Sequence, residues 1–123
     1  MPRQILGDPA GKPYSPGTRC GNMLFVSGQL GLDGSGNMVS GGVGPETRQT
    51  LDNLAAVLDE VGATLDDVTM ANIYMSDLDG DYAAMNEVYV EYFGKEPPAR
   101  ATVEVSKLAL GARVEISSIA VLG

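Results

Sequence analysis

Two residues toward the C-terminal end of the chain carry side chains suited to chemistry on a small acid. Arg100 follows Pro97-Pro98-Ala99 at the mouth of a strand-like segment. Its planar guanidinium matches a carboxylate bidentately, and a stiff Pro-Pro approach would fix where that fork points. Glu115 lies in Ala112-Arg113-Val114-Glu115-Ile116. A carboxyl flanked by Val and Ile near a core or a subunit contact is poised toward its neutral form and can shuttle protons. Pattern alone leaves plainer readings open, and it favours them: a solvated arginine at a strand start, and a polar-face residue alternating with Val114 and Ile116. A short turn, Leu108 to Gly111, joins the two segments. Antiparallel pairing is therefore expected to bring Arg100 and Glu115 into one neighbourhood.

The composition narrows the chemistry further. The chain has no histidine and one cysteine, Cys20. Ser-His-Asp and Cys-His nucleophile systems are thereby excluded, and a structural zinc site nearly so. No clustered Asp/Glu motif suggests a metal held by carboxylates. Acid/base work falls to Asp, Glu, Lys, Tyr or water. Sixteen acids against eight bases leave a net charge of −8, which disfavours general binding to phosphate backbones. A lone cysteine forms no internal disulfide, the N-terminus lacks the pattern of a signal peptide, and no apolar run approaches the ~20 residues of a membrane span. A cytoplasmic protein is the expectation.

Other residues carry weaker signals. Gly28, in Ser27-Gly28-Gln29, allows a backbone or ligand to approach closely. Ser27 can hydrogen-bond a ligand but lacks an activating base, so binding or structure fits it better than nucleophilic attack. Tyr14, in Pro13-Tyr14-Ser15-Pro16, fits a pocket wall and a plug over the core equally well. Cys20 reads as a passive thiol, and Tyr89 and Tyr92 as core and rim residues.

These residues need elements to hold them. Gly and Pro recur through Met1 to Gly21, which reads as extended and loop-like. Met23 to Leu32 reads as a strand, Asp33 to Asn37 as a hairpin loop, and Met38 to Ser40 as a short return strand. Gly44-Pro45-Glu46 opens a helix in which Leu51, Leu54, Leu58 and Val61 share a face, and Gly62 stops it. Val68 to Ser76 forms a strand. Tyr82 to Phe93 forms a second helix, with Tyr82, Met85, Tyr89 and Phe93 on one face. Ala99 to Lys107 and Ala112 to Leu122 complete the set as strands. The order β-β-α-β-α-β-β, without a linker, predicts one domain over 1–123. Its fold class is α+β: a two-layer sandwich with a mixed sheet of about six strands and two helices on one face. The other sheet face is left uncovered, and self-association is the expected way to bury it.

Four segments together resemble the RidA/YjgF family, also called the reactive intermediate deaminase or endoribonuclease L-PSP family. They are Pro13-Tyr14-Ser15; Asn22 to Gly31 (NMLFVSGQLG); Thr50-Leu51-Asp52-Asn53-Leu54; and Pro98-Ala99-Arg100 through Gly111-Ala112-Arg113-Val114-Glu115-Ile116. The resemblance implies a chorismate-mutase-like fold, a homotrimer with clefts between subunits, and no metal or organic cofactor. The implied reaction is hydrolysis of 2-aminoacrylate and related 2-imino acids to 2-oxo acids and ammonia. Carried over by motif, Arg100 binds the substrate carboxylate and Glu115 handles water and proton transfer. Tyr14, Ser27, Gly28 and Asn86 line the cleft, and Thr102 contributes mainly backbone groups. The chain departs from frequent family residues at Ser117, at Ala109 and at Pro16-Gly17, which bears on substrate range. Two other functions compete: a ribonuclease or translation inhibitor, disfavoured by the acidic charge, and a non-catalytic binder of small 2-oxo acids, which would bind without turnover.

Overall fold

The strongest period in the sequence becomes the first helix. In a computed structural model, which describes residues 3–123, α1 spans Val43–Asp59 and buries Thr47, Thr50, Leu51, Leu54 and Leu58. The two threonines bury their hydroxyls by donating to the carbonyls of Val43 and Glu46 one turn back, at 2.7 and 2.6 Å. The helix gives out before Gly62, whose φ of 73° is a left-handed conformation suited to glycine. The second helix, α2, covers Leu78–Phe93. It begins four residues earlier than its apolar face predicts, because Asp77 caps it by accepting from the Gly80 N–H at 3.0 Å.

Six strands form one mixed sheet: β1 Gln4–Leu6, β2 Gly17–Cys20, β3 Met23–Gln29, β4 Val68–Met75, β5 Ala99–Glu104 and β6 Val114–Val121. Their order across the sheet is β1-β2-β3-β6-β4-β5. The Gly/Pro-rich N-terminal stretch, expected to be extended and loop-like, supplies β1 and β2, which pair antiparallel and extend the sheet beyond β3. Met1 and Pro2, at the start of that expected loop, lie outside the described residues. The return strand expected at Met38 to Ser40 shrinks to one bridge between Leu32 and Met38.

Both helices pack on the same face, against Leu24, Val26, Ala71, Ile73, Met75, Val114, Ile116 and Ala120. The opposite face exposes Met23, Phe25 and Val103, each by about two-fifths of its surface. This is the predicted two-layer α+β sandwich. Among the described residues, no helix is long and apolar enough to cross a membrane.

One expectation about the sheet is overturned. β5 and β6, joined by the Leu108 to Gly111 turn, are not paired. β5 runs parallel to β4, and β6 runs antiparallel along the other side of β4. The cause is the crossover: α2 carries the chain from β4 back over the sheet, so β5 lands parallel to β4 on the outer edge. The connection from β5 to β6 then steps across β4, with Val105 N–H donating to the Met75 carbonyl and Ser76 N–H to the Arg113 carbonyl.

Candidate active site

Arg100 sits at the edge of the sheet, where it pairs in register with Ala71 and points to the helix side. Tyr82 and Asn86 are one helical turn apart on α2 and meet it there. Arg100 Nη1 donates to Asn86 Oδ1 at 2.7 Å, and Nη2 donates to the Tyr82 hydroxyl at 3.0 Å. The guanidinium carbon lies 4.8 Å from the centre of the Tyr89 ring, in cation–π range. All of these partners are neutral. Among the described residues Arg100 pairs with no carboxylate, whereas Arg48 pairs with Glu91, and Arg113 with Asp81 and Glu46. Leu78, Asp79, Tyr82, Arg100 and Thr102 line an open groove of about 560 Å³. The groove thus offers an oriented, uncompensated cation, the requirement for taking up a carboxylate.

Phenol acidity follows from the same packing. The neighbouring Asn86 amide, and then the Arg100 charge, lower the Tyr82 pKa below the ordinary phenol value. Burial raises that of Tyr89, against the pull of Arg100. Two hydroxyl oxygens in this region, of Tyr89 and Thr102, are buried without a hydrogen-bond partner.

Glu115 belongs to a second place. It alternates with the buried Val114 and Ile116, so it projects from the open face of the sheet. Its carboxyl lies over Gly28: a Cβ on Gly28 would come within 2.5 Å of Glu115 Oε2. Glycine leaves room for the carboxyl where it stands; a larger residue would push the Glu115 side chain aside. One residue earlier, Ser27 ties down the loop that carries Tyr14. Its hydroxyl donates to the Ser15 carbonyl at 2.6 Å, and its N–H donates to the Pro16 carbonyl at 2.9 Å. Tyr14 itself stands exposed, with Lys12 Nζ 5.9 Å from its ring centre. Lys12, Tyr14, Gly28 and Gln29 contribute to a separate groove of about 430 Å³.

The expected single neighbourhood therefore divides in two within one chain. Arg100, Asn86 and Thr102 gather on the helix side of the edge strand, while Glu115, Gly28, Ser27 and Tyr14 gather around β3 and β6. Arg100 registers with Ala71 and Glu115 with Tyr74 on opposite sides of β4, and their side chains leave by opposite faces. Sequence proximity misleads here because a hairpin-length connection does not guarantee a hairpin.

Sequence reasoning misses one residue of the site, Tyr82, and one buried structural acid, Glu46. Helical spacing places Tyr82 on the apolar helix face, yet it is 41% exposed and reaches Arg100. Its four-residue spacing from Asn86 was the available signal. Glu46, only 5% exposed, accepts from the Arg113 N–H at 2.8 Å and so ties α1 to the start of β6. No sequence pattern distinguishes it from an ordinary first-turn acid. Among the described residues, no three acidic or thiol groups converge as metal ligands would.

A family model described as Endoribonuclease L-PSP matches residues 7–122. The chain is a member of the RidA/YjgF family. A RutC family protein of Pyrococcus horikoshii is 45% identical over 109 residues, covering 88% of this chain and 86% of that protein. The 2-iminobutanoate/2-iminopropanoate deaminase of Capra hircus is 41% identical over 112 residues, covering 90% and 81%. Among solved structures, E. coli TdcF with bound serine superposes with a TM-score of 0.90 at 30% identity, over 98% of this chain and 99% of that one.

Proposed function

We propose that this RidA-family protein hydrolyses 2-imino acids, and their enamine tautomers such as 2-aminoacrylate, to 2-oxo acids and ammonia. The observation that carries the reading is Arg100, held by neutral partners at the edge of a groove with its charge unspent. A relative crystallised with serine and relatives named as imine deaminases support a small amino-acid-like ligand. In the proposed reaction, Arg100 binds the substrate carboxylate. Glu115 orients a water and takes its proton as the oxygen attacks the imine carbon. The same proton then passes to nitrogen, giving the carbinolamine; Glu115 next relays the hydroxyl proton to that nitrogen as the C–N bond breaks, releasing ketone and ammonia. An imine carbon is already electrophilic, so placement and proton transfer supply the rate without a strong nucleophile, metal or cofactor.

One chain cannot perform this, since its Arg100 and Glu115 leave opposite faces. The reading therefore includes a second proposal: the protein is a homotrimer in which the Arg100 groove of one copy meets the Glu115 surface of the next. Arg100 lies on an edge strand, free to receive a neighbour, and the open face carries the apolar surface of Met23, Phe25 and Val103. Light scattering is expected to give about three times the monomer mass. A monomer would sink the shared site. Activity is tested by coupling to a threonine dehydratase, which generates the imine in the presence of semicarbazide. Added protein is expected to lower semicarbazone formation and speed 2-oxobutyrate release. A 2-oxo acid that binds without any turnover would instead identify a binder.

A further inference from the structure

Arg100 is held at both terminal nitrogens, by two groups of different kinds. Asn86 takes Nη1 at 2.7 Å and cannot ionise; Tyr82 takes Nη2 at 3.0 Å and can. A guanidinium held at one terminal nitrogen pivots about that contact. Held at both, and laid against the Tyr89 ring at 4.8 Å, it keeps one plane and one roll, with N–H donors left over beyond these two bonds. The Tyr82 ring is 41% exposed on the groove wall. Packing alone therefore gives little reason for a hydroxyl at this place.

We propose that Tyr82 is a positioning residue which, with Asn86, sets the roll of the Arg100 guanidinium and so the affinity of the groove for a substrate carboxylate. The inference rests on the deaminase reading of the same groove, and it adds a dependence that Asn86 alone could not supply. The groups that face Tyr82 are Arg100 from β5 and Asn86 on α2; Asp79 lines the same groove, and Tyr89 lies against Arg100. Glu104 and Asp81 stand near but are engaged, Glu104 with the Leu78 N–H and Asp81 with Arg113. Tyr82 ionises more readily than an ordinary phenol, and Tyr89 less readily. As pH rises on the alkaline side, the Tyr82 phenolate pairs with Arg100 and cancels the charge that a carboxylate needs. Affinity then falls.

The test compares the full-length wild type with Tyr82→Phe and Tyr82→Gln. The readouts are turnover of enzymatically generated 2-iminobutanoate and 2-oxobutyrate binding by calorimetry, from about pH 7 to about pH 10. Tyr82→Phe is expected to raise KM and the 2-oxobutyrate Kd about tenfold at neutral pH. Its kcat should stay within about twofold, since the contact orients binding rather than the attacking water. Tyr82→Gln restores an acceptor that cannot ionise, so it should recover part of the neutral affinity. The alkaline loss of affinity seen in the wild type should be absent from both variants. Equal Kd in wild type and Tyr82→Phe, with the same alkaline fall, would overturn the inference and leave the deaminase reading standing. A wild type that neither binds 2-oxobutyrate nor turns over the imine would overturn both.

Discussion

Arg100 and Arg113 reach neighbouring residues near the start of α2, Tyr82 and Asp81, and have opposite fates. Arg113 Nη1 donates to Asp81 at 3.0 Å, and its Nε lies 4.0 Å from the buried Glu46 carboxyl. Side-chain bonding and charge from Asp81, then charge from Glu46 and Asp77, raise its pKa further. Its charge is spent on joining α1, α2 and β6. Arg100 is held instead by an amide, a phenol and an aromatic face. Neutral partners fix a cation in space without neutralising it. The difference separates an arginine that holds the fold together from one left available to a ligand.

That contrast can be broken at either arginine. The largest effect is expected from Arg100→Ala, which should lower kcat/KM for 2-iminobutanoate by about 10²-fold or more while leaving thermal unfolding nearly unchanged. Retained turnover would remove Arg100 from the reaction. Asn86→Asp would make Arg100 resemble Arg113, by placing a carboxylate where an amide now accepts. Calorimetry with 2-oxobutyrate should show affinity lowered about tenfold, with stability equal or improved. Tighter binding in that variant would contradict the argument from uncompensated charge.

On the Arg113 side, Glu46→Ala leaves the Arg113 N–H without its buried acceptor. It should cost about 1–3 kcal/mol in urea unfolding, and Glu46→Gln, which keeps an acceptor, should cost less. The smallest effect belongs to Arg48→Ala. The Arg48–Glu91 pair is half-exposed on both sides and screened by solvent, so its loss should leave the urea midpoint essentially where it is in the wild type.

The helices were legible because their signals are local. Leu51, Leu54 and Leu58 recur at helical spacing, and all three end fully buried. Alternation in the final strand likewise told which of Val114, Glu115 and Ile116 face the core. The N-terminal strands were not legible, because Gln4–Leu6 and Gly17–Cys20 are short and sit among glycines and prolines. They exist through pairing onto β3, a long-range contact that local propensity does not encode.

Composition and apolar spacing determined that chemistry here must run without histidine and that two amphipathic helices must cover one side of a sheet, and family motifs, not residue types alone, singled out one guanidinium and one carboxyl. Where those two groups stand was decided by tertiary structure. The α2 crossover inserts β4 between their strands, and the side-chain alternation of each strand sends them out of opposite faces. Strand neighbours are chosen by how the whole chain packs its apolar faces, and a short turn between two segments carries no information about what lies between them in the sheet.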